Sequence, residues 1–239
     1  MSTQVVILAG GLATRMLPAT ERVPKLLLEV RGRPFFDWLA TRLFESGVDD
    51  IVLCVGHLAN EIRQYLSQRP DIARHTRCVD ERDTRLGTGG AIALADREGL
   101  LDDQFLVTYG DSYLTFDYAL PLTMLAARND LDGVMAVYEN DVPHEPSNSL
   151  VEGDLVTRYE KGTRDPRLRW IDYGATAIRR EVIRRGAQQL GPVFGFDAIQ
   201  QSLATQARLG ACVVHERFHE IGSPRGRDEL EAFLTYHSA

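Results

Sequence analysis

Within the first 110 residues, four short apolar runs alternate with stretches patterned for helix, and this alternation limits the fold more than any other feature. Gln4–Leu8 ends in Gly10-Gly11 and reads as a strand followed by a loop. From Pro34, apolar residues at Phe36, Leu39, Ala40 and Leu43 follow the spacing of one helix face, with Gly47 past its end. Ile51–Val55 is the next strand, Ala59–Leu66 a helix, Cys78-Val79 a third strand and Gly89–Ala95 a helix. Phe105–Val107 is the fourth strand, closed by Tyr109-Gly110-Asp111. Apolar strands separated by helices specify an α/β fold with a doubly wound, mostly parallel sheet. Ligands of such sheets bind beyond the strand C-terminal ends, where Gly10–Arg15 and Gly110-Asp111 both fall.

After a helix near Leu122–Ala127 the texture changes to short strands at Val134–Tyr138, Ser149–Val151, Leu155–Tyr159 and Ile171–Ile178. Glu152-Gly153-Asp154 is a hairpin turn between two of them. These strands predict a small β-rich lobe, followed by helices at Glu181–Arg185 and Phe196–Gln206 and a strand at Ala211–His215. Ser223-Pro224 opens a last helix, serine as cap and proline in the first turn. Its apolar residues Leu230, Phe233 and Leu234 suit packing on the body or on a second copy equally, so monomer and homo-oligomer both stay open. No repeat or linker divides the chain, which predicts one domain over 1–239, with halves at 1–130 and 131–239.

Several function classes are disfavoured by composition. A net charge of −7 lacks the basic excess of a nucleic-acid binder. No apolar run approaches the roughly 18–20 residues that cross a bilayer, so no membrane role is expected. Cys54, Cys78 and Cys212 lie in apolar, strand-like runs and read as buried free thiols in a reducing cytoplasm. The six histidines show no metal-ligand spacing, and His219 reads as a bystander beside Glu220. Arg164–Arg169 reads as a solvated loop.

The chemistry concentrates in Leu8-Ala9-Gly10-Gly11-Leu12-Ala13-Thr14-Arg15, continuing to Val23-Pro24-Lys25. A strand that empties into two glycines lets the backbone approach an anion, its amides free to donate to phosphate oxygens. Arg15 and Lys25 add positive charge if the loop folds back. The spacing is neither a P-loop nor a dinucleotide fingerprint. A lone Gly-Gly is an ordinary strand-to-helix turn; the whole string is far more specific.

At this string the chain resembles the sugar-1-phosphate nucleotidyltransferases, a Rossmann-like fold of the nucleotide-diphospho-sugar transferase type. Four later landmarks follow in family order: Gly87-Thr88-Gly89-Gly90-Ala91, Gly110-Asp111, Glu160-Lys161 and Glu220-Ile221-Gly222-Ser223-Pro224. The resemblance implies a Mg²⁺-dependent enzyme whose partners are a nucleoside triphosphate and a sugar 1-phosphate. It implies catalytic roles for Arg15, Lys25 and Asp111, and metal binding by Asp111 and Glu220, the latter a glutamate where the family has aspartate. Leu8, Ala9, Gly10, Gly11, Thr14, Arg15, Gly87, Thr88, Gly89 and Gly110 would bind the nucleotide, the glycines as a platform for the base. Lys25, Asn148, Glu160, Lys161, Asp172, Tyr173 and Gly174 would bind the sugar phosphate. Asp172-Tyr173-Gly174 stands where many relatives have Asn-Ala-Gly or Asn-Thr-Gly. The carboxylates suit Mg²⁺, which takes oxygen ligands and keeps several waters.

The glycine-rich Gly87–Ala91 form, Gly110-Asp111-Ser112-Tyr113 and the short chain are similar to the heptose-1-phosphate guanylyltransferase branch, which favours GTP and a heptose 1-phosphate. Neighbouring branches use UTP, CTP, ATP or dTTP with other sugar phosphates. The same fold hosts cytidylyl transfer to phosphocholine. A non-catalytic nucleotide-binding regulator is the third alternative, disfavoured by the retained Arg15, Lys25, Asp111 and Glu220.

Overall fold

The computed structural model describes residues 3–11, 13, 16–82, 84–140 and 146–237. In chain order the elements are β1 (Gln4–Leu8), a single 3-10 turn at Lys25–Leu27, β2 (Glu29–Val30), β3 (Arg33–Pro34), α1 (Phe35–Glu45), β4 (Asp50–Val55) and α2 (Ala59–Ser67). There follow α3 (Pro70–Ala73), β5 (Thr76–Asp80), α4 (Gly87–Arg97), β6 (Gln104–Tyr109), β7 (Ser112–Tyr113), α5 (Leu120–Ala126) and β8 (Gly133–Glu139). The chain continues through β9 (Ser149–Glu152), β10 (Leu155–Tyr159), β11 (Trp170–Arg179), α6 (Arg180–Leu190) and α7 (Phe196–Thr205). It closes with β12 (Leu209–Val214), β13 (His219–Glu220) and α8 (Pro224–His237).

One sheet of nine strands runs in the order β5-β4-β1-β6-β11-β8-β12-β10-β9. Its first four strands are parallel, as their apolar runs predict. Strand β11 then lies antiparallel to both β6 and β8, and β12 returns parallel to β8. The strands expected as a small β-rich lobe therefore continue this same sheet. Their outer hairpin curls round, so that Ser149 of β9 pairs with Trp170 of β11 as well as with β10.

Strand alternation divides the core in two. Val5, Ile7, Ile51, Leu53 and Val55 pack on one face with α1, α2, α5 and α8. Val6, Val52, Cys54, Phe105 and Val107 pack on the other with α4, α6 and α7. Helices on both faces are what a sheet with two apolar sides requires. Cys54 and Cys212 are buried free thiols as expected, while Cys78 is half-buried. Burial pushes the Cys212 thiol up to about 11 and Cys54 higher still. No helix among the described residues is long and apolar enough to cross a membrane.

Candidate active site

A cleft of about 510 Å³ opens where the parallel strands end. Leu8, Ala9, Gly10 and Gly11 form one wall, Gly87, Thr88 and Ala91 another, and Lys25, Tyr109, Gly110 and Asp111 close one end. The amide of Ala9 donates to Cys54 at 2.9 Å and that of Gly110 to Leu8 at 3.0 Å, so the loops leaving β1 and β6 stay tied to the sheet. A side chain at Gly10 would place its Cβ 2.7 Å from the Glu81 carboxylate. A larger residue there would displace the end of the Glu81 side chain.

Lys25 sits on the 3-10 turn, anchored by buried Leu26. Its Nζ donates to Oδ2 of Asp111 at 2.8 Å, with the two side chains 19% and 25% exposed. Two residues far apart in the chain thus meet, part-open to solvent, at one end of the cleft. Thr14 and Arg15 lie outside the described residues.

Glu220 reaches the same neighbourhood through the backbone. β13 pairs antiparallel with β7, Glu220 opposite Ser112, and the Ile221 amide donates to the Asp111 carbonyl at 2.9 Å. The Ser223 hydroxyl donates to the Glu220 carboxylate at 3.4 Å and accepts from the Gly226 amide at 3.1 Å, capping α8 as its sequence predicts. Glu220 is not among the residues lining the cleft. Asp111 immediately precedes β7 and Glu220 ends β13, and carboxylate oxygens are the donors a hard divalent cation takes while it keeps several waters. Among the described residues no group of three or more His, Cys, Asp and Glu gathers to hold a metal ion of any kind.

The start of α4 differs from expectation in one respect. Gly87 and Thr88 line the cleft, but Gly89 faces away from it. The amides of Gly89 and Gly90 donate to the Phe194 carbonyl at 3.0 and 3.2 Å. A Cβ on Gly89 would fall 2.3 Å from the Phe194 ring. Its lack of a side chain serves the loop between α6 and α7, not a base platform. The Thr88 hydroxyl accepts from the Phe196 amide at 2.8 Å, pinning the same loop.

On the acceptor side, Asn148 organises the backbone. Its Oδ1 accepts from the Asp172 amide at 2.8 Å, and its carbonyl accepts from the Glu160 amide at 2.8 Å. The Glu160 carboxylate pairs with Arg158 at 2.6 Å, and Lys161 is exposed. Asp172 is half-buried; its carboxylate accepts from the Gly174 amide at 3.0 Å, Gln200 at 3.2 Å and the Tyr159 hydroxyl at 3.3 Å. Burial raises its pKa above the usual carboxylate range, against these bonds and the Lys161 charge.

Tyr173 is a correction. It is 2% exposed and points to the opposite face of β11, edge-on to Phe116 at 5.4 Å and Phe218 at 5.6 Å. Consecutive strand residues face opposite ways, so Asp172 and Tyr173 do not share a pocket. Arg167 and Arg169 are exposed, as expected of their loop, with Arg167 paired to Asp165. The His219 ring packs against Phe233 of α8, centroids 4.3 Å apart and planes tilted by 33°.

Leu26, Cys54, Glu81, Arg85 and Tyr109 also line the cleft and were not anticipated there. Glu81 directly follows β5, so the rule that ligands meet strand C-terminal ends had marked its position.

The chain matches the MobA-like NTP transferase domain over residues 5–177. It is 23% identical over 221 residues to a D-glycero-alpha-D-manno-heptose 1-phosphate guanylyltransferase of Campylobacter jejuni, covering 92% of this chain and 95% of that protein. A Sulfolobus acidocaldarius protein named for mannose-1-phosphate guanyltransferase activity is 24% identical over 180 residues, 75% of this chain. The match spans 49% of that relative's length. The crystal structure of HddC from Yersinia pseudotuberculosis complexed with GMP-PN superposes with a TM-score of 0.79 at 25% identity, covering 97% of this chain and 99% of the other. With a glycine-walled cleft at the strand ends and a domain match over most of its length, the chain belongs to the MobA-like NTP transferase family.

Proposed function

We propose that this protein joins a nucleoside triphosphate to a sugar 1-phosphate, forming a nucleotide sugar and pyrophosphate, with GTP and a manno-configured heptose 1-phosphate as substrates. The observation that carries this reading is the Lys25–Asp111 pair, 2.8 Å apart at one end of the glycine-walled cleft. The guanylyltransferase of Campylobacter jejuni and the GMP-PN complex of HddC support the choice of base.

A sugar-phosphate oxygen attacks the α-phosphorus in line. The bond from that phosphorus to the bridging oxygen breaks, and pyrophosphate departs with the electron pair. The attacking oxygen is already anionic at neutral pH, so no protein nucleophile or general base is required. The barrier lies in bringing two polyanions together, which makes the task one of positioning and charge. Lys25 supplies positive charge between the α-phosphate and the incoming phosphate. Arg15 is assigned to the leaving phosphates, whose oxygens suit its planar fork, and Lys161 to the acceptor phosphate. Asp111 and Glu220 are assigned to Mg²⁺, whose charge offsets the phosphates when bound. Asn148, Glu160, Asp172 and Gly174 are assigned to the sugar. The nucleotide and the acceptor thus divide between the halves 1–130 and 131–239 of one domain. A cytoplasmic setting suits three free cysteines.

The test is pyrophosphate release by purified protein with Mg²⁺, five triphosphates (GTP, UTP, CTP, ATP, dTTP) and a panel of sugar 1-phosphates. Release should be greatest with GTP and the heptose phosphate, and absent in EDTA. Silence across every pairing overturns the transferase reading, whereas a different best pair overturns only the substrate assignment.

A further inference from the structure

We infer that Gln200 is a positioning residue of the acceptor site, holding the Asp172 carboxylate so that one oxygen stays open to a hydroxyl of the sugar phosphate. This rests on the transferase reading, which assigns Asp172 to the sugar, and names the residue that aims it.

Helix α7 turns Phe196, Ile199, Leu203 and Ala204 into the core, and Gln200 is the one polar side chain among its buried residues. It is 1% exposed. Its Nε2 donates to Oδ2 of Asp172 at 3.2 Å and to the Thr176 hydroxyl at 3.0 Å. Its Oε1 is buried with no hydrogen-bond partner among the described residues. An unpaired amide oxygen in an apolar interior costs stability, whereas a methionine of similar length would fill the space without that cost. Packing therefore does not account for glutamine here. The donor it offers Asp172 does.

A carboxylate has about four acceptor sites, two on each oxygen. Gln200 and the Tyr159 hydroxyl fill those of Oδ2, and the Gly174 amide takes one on Oδ1. A site on Oδ1 is left over. The strand lies in the right place for an acceptor. A Cβ on Gly174 would fall 3.6 Å from the Tyr109 ring and 3.7 Å from the Ser112 hydroxyl, and those two residues bracket Gly110-Asp111. Helix α7 is fixed to the nucleotide side as well, since the Phe196 amide donates to Thr88 one turn before Gln200. The charged and titratable neighbours of Asp172 are Tyr159 on β10, Lys161 after it and Tyr109 on β6, with Asp197 of α7 facing both tyrosines.

The experiment uses Gln200→Met, which keeps the length and removes the donor, and Gln200→Glu, which keeps the shape and sets a second carboxylate against the first. Melting temperatures serve as the fold control. Kinetics use GTP and D-glycero-alpha-D-manno-heptose 1-phosphate, or whichever pair the pyrophosphate panel favours in their place. KM for the sugar phosphate should rise about 10-fold in both variants, the scale of one hydrogen bond to a charged group, with KM for the nucleotide unchanged. A second readout is independent of turnover. In protein with isotope-labelled aspartate carboxyls, the Asp172 signal, identified by its loss in Asp172→Asn, should titrate about one pH unit higher in Gln200→Met, because the lost donor favours the charged form. Should Gln200→Met not fold, Tyr159→Phe removes the other donor to Oδ2 and should raise the same KM. An unchanged sugar-phosphate KM in folded variants overturns the inference, as does an equal rise in both KM values or an unmoved Asp172 titration. A wild type that releases no pyrophosphate with any pair overturns the transferase reading and the sugar role of Gln200 with it, even where the titration moves.

Discussion

Lys25 and Asp111 neutralise each other across 2.8 Å, and each is also the group a substrate assembly would claim: phosphate for the ammonium, a cation for the carboxylate. Asp111→Asn keeps the size and leaves an oxygen facing Lys25, but removes the charge. Turnover should fall by at least about 100-fold, the scale for losing one electrostatic contact to the transition state. Stability should barely move, because a part-exposed pair is worth about 0–1 kcal/mol. Parallel pyrophosphate assays and thermal melts check both halves, and full turnover in the variant would remove Asp111 from the machinery. Both residues were legible in the sequence because each sits in a motif with a local cause, a proline-led turn and a glycine at a strand end. Glu81 belongs to no such motif, and only its place just after β5 pointed towards the cleft. Tyr173 was misread for the opposite reason. A three-residue string was taken as one surface, although the period of a strand turns its middle residue away.

At the scale of elements, the helices with clear apolar periodicity and end signals were readable, as α1 between Pro34 and Gly47 and α8 behind Ser223 illustrate. What joins α4 to the loop between α6 and α7 was not, because about a hundred residues separate the partners and neither has a periodic signature. Gly89 exists for that joint. Gly89→Ala drives a methyl into the Phe194 ring, at a cost of about 1–3 kcal/mol if the loop yields, as overpacked sites do. The expected result is a lower urea midpoint with unchanged m-value. Gly89→Ala combined with Phe194→Leu should recover part of the loss, since the smaller side chain vacates the space. An equally destabilised double variant would mean that helix geometry, not the ring, requires glycine there.

Across the whole molecule, the parallel half could be foreseen, whereas the way β11 stitches the later strands onto β6 could not. Apolar alternation identifies a strand without naming its neighbour or direction. That stitch carries Asp172, a half-buried residue on the strand where the two halves of the sheet meet. Desolvation raises its folded pKa above the usual 3.8. The folded state therefore holds this proton more tightly than the unfolded chain does. The resulting stabilisation is complete below pH 3.8 and is lost as pH rises through the folded value. Above that folded value the wild-type protein keeps a charge at this half-buried position that Asn would not. Asp172→Asn retains one oxygen for Gln200 and Tyr159 and gives up the acceptor of the Gly174 amide, so it should gain on the wild type as pH rises through the folded value. That gain should shrink as pH falls towards 3.8 and vanish below it. Urea midpoints of both proteins from pH 3.5 to 8 test this, and a difference between them that stays constant over that range would contradict it. Under the proposed function Asp172 is assigned to the sugar, where its charge would meet the ligand. The same substitution should therefore weaken acceptor binding, as a raised KM for the sugar phosphate alongside an unchanged KM for the nucleotide.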